Sequence, residues 1–208
     1  MRPKDSLDGK AIADIRKMEE FLKHSKVQHY FHCGFAMYVQ GLDGDLDDCD
    51  IRVKHDSLEE LGAALTNDGF LTELVPPGQA TRNNSTNTPY LKAATIHGTT
   101  FDLVSRMRYL DGKGKDFEFP FDGAFAVVEK KRFEEMEIPV APLEALALYY
   151  LYQRRGDNGK ADLQTFASIY HNPKFSSEKF EEFIGEAIKL KKHRRVVEEL
   201  YRHAKALV

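Results

Sequence analysis

Residues 33–53 read CGFAMYVQGLDGDLDDCDIRV. This stretch joins a glycine turn at Gly34, a short helix-like run over Phe35 to Val39 and an acidic, turn-rich loop from Gly41 to Asp47 to a strand over Cys49 to Lys54. Asp48 and Asp50 stand at i and i+2 about the start of that strand, so both carboxylates leave from one face. A residue of the wrong parity would send its carboxylate into the opposite layer. Paired aspartates on one face, close to glycine-rich backbone, suit a hard divalent cation that carries phosphate oxygens. The stretch therefore points to phosphoryl or nucleotidyl chemistry.

Other readings of these acids stay open at this level. Asp43, Asp45 and Asp47 match the first three ligands of an EF-hand calcium loop, but Asp48 stands where that loop needs glycine and Lys54 where it needs a bidentate glutamate. A solvated acidic turn accounts for Asp43, Asp45 and Asp47. It accounts less well for Asp50, which lies among Cys49, Ile51 and Val53. The alternation C-D-I-R-V-K puts Asp48, Asp50, Arg52 and Lys54 on one face, as an ordinary polar sheet face also would. Asp102, in the strand-like run FDLVS, is the third candidate. If its strand lies beside that of Asp50, three carboxylates converge, and their repulsion keeps one protonated unless a cation intervenes.

Outward from this stretch the pattern is mixed. Residues 8–24 form an amphipathic helix with Ile12, Ile15, Met18 and Leu22 on one face, and Val27 to His32 alternates as a strand. Ser57-Leu58-Glu59-Glu60 reads as a capping box opening a helix with Leu58, Leu61, Ala64 and Leu65 inward, ended at Asp68-Gly69. Leu71 to Val75 is a strand, and Pro76 to Pro89 a polar loop. Tyr90 to Ile96 and Thr100 to Ser105 pair across a tight turn at His97-Gly98-Thr99. Residues 109–122 read as loop, and Ala124 to Glu129 as a further strand. Pro142 to Arg155 is a helix with a Leu143, Leu146, Ala147, Tyr150 stripe, and helices follow over Lys160 to Tyr170, Ser177 to Lys189 and His193 to Leu207. The expected domains are 1–135, α/β and carrying the acids, and 136–208, helical.

At 208 residues and 42% hydrophobic content the chain can bury a substantial core, and its net charge of −3 gives no general basic face for nucleic acid. Cys33 and Cys49, the two cysteines, form neither a CxxC pair nor a zinc spacing and read as buried, reduced thiols. The N-terminus lacks an apolar signal core and no apolar run approaches a membrane span, so the expected location is the cytoplasm. His29 and His32 read as core or surface residues, and Tyr149 to Tyr152 as packing.

Cys33-Gly34-Phe35-Ala36, then Gly41, then Asp48-Cys49-Asp50-Ile51 and a distant Asp102 resemble the nucleotidyltransferase superfamily of the DNA polymerase β type, most of all its small prokaryotic members. The resemblance implies an α+β fold: a mixed sheet with helices on one face, followed by a C-terminal helical region. It implies transfer of a nucleoside monophosphate from a nucleoside triphosphate to an acceptor hydroxyl on a small molecule, RNA or protein. It also implies Mg2+ or Mn2+ held by Asp48, Asp50 and Asp102, with Asp102 activating the acceptor. Cys33, Gly34, Phe35 and Arg82 are the nucleotide-binding candidates, by backbone N–H groups at the turn and by a loop cation. Four positions depart from the family pattern. Cys33 replaces a glycine, Phe35 a serine that touches the triphosphate, and Gly44 and Leu46 stand where relatives carry Arg and Ser or Thr. Those changes motivate the alternative of a non-catalytic nucleotide-binding or antitoxin-like partner module.

Overall fold

A computed structural model of the chain describes residues 7–43, 46–76, 88–105, 108–110, 116–118, 127–153 and 160–189, together with 202 and 206. The chain divides into two compact units, Met1–Val140 and Ala141–Val208.

The first unit is built on a mixed sheet. Its strands are β1 (Gln28–Phe31), β2 (Cys49–Lys54), β3 (Leu71–Val75), β4 (Tyr90–Ala94), β5 (Thr100–Val104), β8 (Glu129–Phe133) and β9 (Met136–Val140), in the spatial order β3-β4-β5-β2-β1-β9-β8. The β2–β5 and β1–β9 pairs are parallel and the others antiparallel. A separate ribbon pairs β6 (Arg108–Leu110) with β7 (Asp116–Glu118). Over 109–122, where a loop is expected, the described residues are in these two strands and the rest lie outside the described residues. The strand expected over Ala124 to Glu129 instead begins at Glu129, the end of that segment, and forms a hairpin with β9. Alternating charges in EKKRF hide this strand from a hydrophobic reading, because only one of its faces is covered.

Helix α1 (Gly9–His24) starts where Asp8 Oδ1 accepts from the Ala11 N–H at 2.8 Å. Its buried face holds Ile15, Met18 and Leu22 as expected, with Ile12 only half buried, and it also holds the charged Asp14 and Glu19. Helix α3 (Leu58–Asn67) is capped by Ser57 Oγ, which accepts from the Glu60 N–H at 3.2 Å. The Ser57 N–H donates to His55 Nδ1 at 3.2 Å, so a histidine fills the role a capping box gives to glutamate. Gly62 takes the inward place expected of Ala64, which is exposed. A methyl group on Gly62 would stand 3.0 Å from Leu91 Cδ1, so glycine allows α3 to seat close on β4.

Phe70 meets Phe21 of α1 and Phe101 of β5 edge-to-face at 6.2 and 6.3 Å. Leu91, Phe101 and Leu103 are thereby committed to the helix side of the sheet, and their alternates on the same strands face the other way. The short α2 (Cys33–Val39) follows β1 directly and buries Phe35 against Phe31 and Phe133 at 4.9 and 5.1 Å. The fold is α+β, with a mixed sheet bearing helices and a helical second unit.

That second unit contains α4 (Leu143–Gln153), α5 (Lys160–Tyr170) and α6 (Ser177–Lys189). Phe166, Tyr170, Phe175 and Phe180 cluster with ring centroids 4.9–6.4 Å apart. Glu144 Oε1 accepts from the Ser176 N–H at 2.7 Å, tying the start of α6 to α4. Every residue from Leu143 to Leu151 is buried, so α4 lacks the single stripe expected of it. The run LEALALYYL has almost nothing to offer water. The helix expected over 193–207 lies outside the described residues, apart from 202 and 206. Among the described residues no helix is long and apolar enough to cross a membrane.

Candidate active site

The pairing of β2 with β5 decides the geometry. Asp50 lies directly opposite Asp102 across these parallel strands, and residues so paired project to the same face. That face is the one turned away from α1 and α3, because Cys49, Ile51, Phe101 and Leu103 take the helix side. Antiparallel pairing continues the row. Lys92 lies opposite Asp102 and Glu73 opposite Lys92, so Glu73, Lys92, Asp102 and Asp50 run in line across four strands. Asp48, exposed at the entrance to β2, belongs to the same parity as Asp50. On the far side of β2 the His32 N–H donates to the Asp50 carbonyl at 2.9 Å, which fixes the start of α2 against the acid strand.

The electrostatics follow from this placement. Burial, then the charges of Asp50 and Asp48, push the Asp102 carboxyl up from 3.8 to about 7, with Lys92 working in the opposite direction. The Tyr90 phenol is raised by burial and by Asp102, Glu73, Asp48 and Asp50, as expected for a side chain two residues from Lys92 on the same face. Burial and the charges of Asp50 and Asp48 raise the Cys49 thiol. His32 is held down to about 3 by burial and by the neighbouring Arg52 guanidinium, so it is a neutral imidazole across the physiological range. Its Nδ1 lies 3.0 Å from Cys33 Sγ. Arg52, which parity alone put beside Asp50 on a polar face, is buried at 3% exposure, and Nη2 points to the Ser105 carbonyl at 3.5 Å.

The turn residues expected to hold phosphate open α2. Cys33 has φ of 49°, the left-handed region that glycine adopts freely, which gives a physical reason for a glycine at this position in the family pattern. Cys33, Gly34 and Phe35 are all buried, and the Phe35 ring is consumed in packing, so only its backbone is available to a ligand. Arg82 lies outside the described residues. Cys33 and Cys49 are free thiols, both buried. His29 bridges the Val27 carbonyl and Glu19, and Tyr149 and Tyr150 are packed, so these aromatic candidates serve the core.

Lys92, Tyr90 and Glu73 were not anticipated at the site. Their own strands show the right alternation, but nothing in a single strand announces which acid it will face. Among the described residues no three His, Cys, Asp or Glu side chains already stand close enough together to hold a metal ion. The chemistry of the acid row nonetheless fits one. Two facing carboxylates, with one driven toward protonation by the others, form a site that a divalent cation relieves.

The chain thus presents a mixed sheet with an acid pair at the entrance of one strand and a third acid on its parallel neighbour. Among solved structures it is similar to a proposed nucleotidyltransferase from Thermotoga maritima, at 16% identity and a TM-score of 0.56 over 70% of this chain and 86% of that one. A lincosamide antibiotic adenylyltransferase, solved with lincomycin, aligns at 15% identity and a TM-score of 0.48 over 79% of this chain and 99% of that one. An antigenic nucleotidyltransferase-like protein from Paracoccidioides brasiliensis aligns at 13% and 0.49, over 92% and 94%. The sequence matches no family model and no curated protein.

Proposed function

We propose that this chain is a metal-dependent nucleotidyltransferase that moves a nucleoside monophosphate from a nucleoside triphosphate to an acceptor hydroxyl. The observation that carries the reading is the opposition of Asp50 and Asp102 on neighbouring parallel strands, with Asp48 of the same parity beside them. Asp48, Asp50 and Asp102 would hold Mg2+ or Mn2+, which when bound neutralises phosphate charge and stabilises the leaving pyrophosphate. The acceptor oxygen forms a bond to the α-phosphorus as the bond to the β-phosphate bridging oxygen breaks. Asp102 would bind one metal ion and orient the acceptor hydroxyl or take its proton. Backbone N–H groups at Cys33, Gly34 and Phe35 would meet the triphosphate, with Arg82 a further candidate cation. Catalysis would rest on positioning and charge neutralisation.

Isothermal titration of the four ribonucleoside triphosphates with Mg2+ tests this reading. Wild type binds at least one in a metal-dependent manner, and Asp48→Asn/Asp50→Asn loses that binding while staying folded by circular dichroism. Equal binding by both proteins, or none by wild type, overturns it. The substitutions Gly44 and Leu46 favour a second reading, a non-catalytic nucleotide-binding or antitoxin-like module on the same fold. Metal-dependent nucleotide binding without pyrophosphate release from any small-molecule, RNA or protein acceptor selects that one.

A further inference from the structure

Away from the acid row, a second polar cluster in the first unit gathers around a buried charge. Asp14, at 4% exposure, projects from α1 to the turn between β4 and β5. Its Oδ2 accepts from Thr95 Oγ1 at 2.6 Å and from Thr99 Oγ1 at 2.7 Å, and its Oδ1 accepts from His97 Nδ1 at 3.0 Å. One carboxylate thus gathers three side chains from a five-residue turn more than eighty positions away in sequence. Burial raises the Asp14 carboxyl, but hydrogen bonds from Thr95, Thr99 and His97 outweigh it and leave it lowered, so the cluster is built around the charged form.

The turn also closes on itself, with the Thr95 N–H donating to the Thr99 carbonyl at 3.0 Å and the Gly98 N–H to the Thr95 carbonyl at 3.1 Å. Thr99 is the last residue before β5, and Thr100 Oγ1 makes a long contact of 3.5 Å to the Asp47 carbonyl beside Asp48. A cavity of about 260 Å³ lies between the first turn of α1, residues Asp47 to Cys49, and His97 to Thr100. The Asp14 hydrogen bonds span the junction beside that void.

We propose that Asp14 is a positioning residue which, through Thr95, Thr99 and His97, sets the start of β5 against the entrance of β2 and so holds Asp102 opposite Asp50. The inference rests on the reading of these acids as a metal site. It assigns to α1, which contributes no group to that site, control over the separation of the acids. Partners that hydrogen-bond directly to metal ligands govern metal affinity by about 10- to 100-fold, and Asp14, acting one step further out, should fall at the low end of that range.

The test is Mn2+ affinity, read from the free-ion electron paramagnetic resonance signal, for wild type, Asp50→Asn, Thr99→Val, Thr99→Ser and Asp14→Asn. Thr99→Val keeps the shape of the side chain and removes its hydroxyl donor, and Thr99→Ser restores the donor. Support is loss of binding in Asp50→Asn, binding weakened about tenfold in Thr99→Val, and recovery in Thr99→Ser. Asp14→Asn should weaken binding at least as much, and Thr99→Val decides the matter if Asp14→Asn does not fold. If Asp50→Asn loses Mn2+ while folded Thr99→Val binds it as wild type does, the cluster is only a structural clasp and the inference fails alone. If Asp50→Asn binds as wild type does, the metal reading fails and takes this inference with it.

Discussion

Replacing Asp102 by asparagine should stabilise the metal-free protein at neutral and alkaline pH. The carboxyl titrates at an ordinary 3.8 when the chain is unfolded and at about 7 in the fold, where burial, Asp50 and Asp48 all oppose its charge. At pH 8 it is ionised in both states, and folding carries the charge into the unfavourable setting. At 1.36 kcal/mol for each pH unit between the two values, that costs about 4 kcal/mol. Water reaching the half-buried carboxyl screens part of this, so the expected gain for Asp102→Asn is about 1–3 kcal/mol. The sign reverses the common carboxylate case. The native state binds the proton more tightly, so wild type loses stability relative to the variant as pH rises from about 4 to about 7 and stays level above that. Below pH 4 both proteins carry a neutral side chain, and the difference should vanish. Urea unfolding in chelator at pH 4, 6 and 8 measures it, with equal m-values as the check that the denatured state is unchanged. Adding Mg2+ at pH 8 should erase the advantage, since cation binding favours the wild-type carboxylates in the folded state. A variant less stable than wild type at pH 8 in chelator would refute the reasoning, because it would mean that Asp102 does not face the other acids.

Two further outcomes follow from the same strands. Lys92→Met removes a cation that lowers the Asp102 carboxyl, so its midpoint in a metal-free carboxyl 13C titration should move above about 7, and an unchanged midpoint would place the Lys92 ammonium elsewhere. Gly62→Val forces a branched side chain into the space where even a methyl meets Leu91 at 3.0 Å, and thermal unfolding should show a loss of about 1–3 kcal/mol.

What the sequence made legible was what parity and capping determine within one segment. Asp48 and Asp50 were assigned a common face by the i, i+2 rule, and β2 runs from Cys49 to Lys54 as the alternation of CDIRVK required. Ser57 announced the start of α3 because a hydroxyl before an apolar-periodic run has a donor to satisfy at its third following residue. The opposition of Asp102 to Asp50 was a conditional statement, since parallel pairing depends on a crossover that no local pattern encodes. Arg52 shows the limit of parity. It shares the face of Asp50, yet further along the strand that face is covered, and the arginine is buried. Strand β8 was placed too early and β9 was not assigned, since the charges alternating through EKKRF mask the apolar period of that hairpin.

Asp14 and Asp102 together show which kind of buried charge can be recognised early. Both are acids in segments whose neighbours are apolar, and both depart from the pattern that buries Ile15 and Leu103. Their surroundings send them in opposite directions. Asp14 meets three donors and is held as an anion, so its burial is satisfied within the fold. Asp102 faces Asp50 and Asp48 with Lys92 set against them, and burial and the two acids push its carboxyl up. Such an arrangement on adjacent strands is one that a divalent cation would relieve, as the proposed function requires. The difference between the two aspartates is therefore the physical ground for placing ligand chemistry at β2 and β5 and structural control at α1.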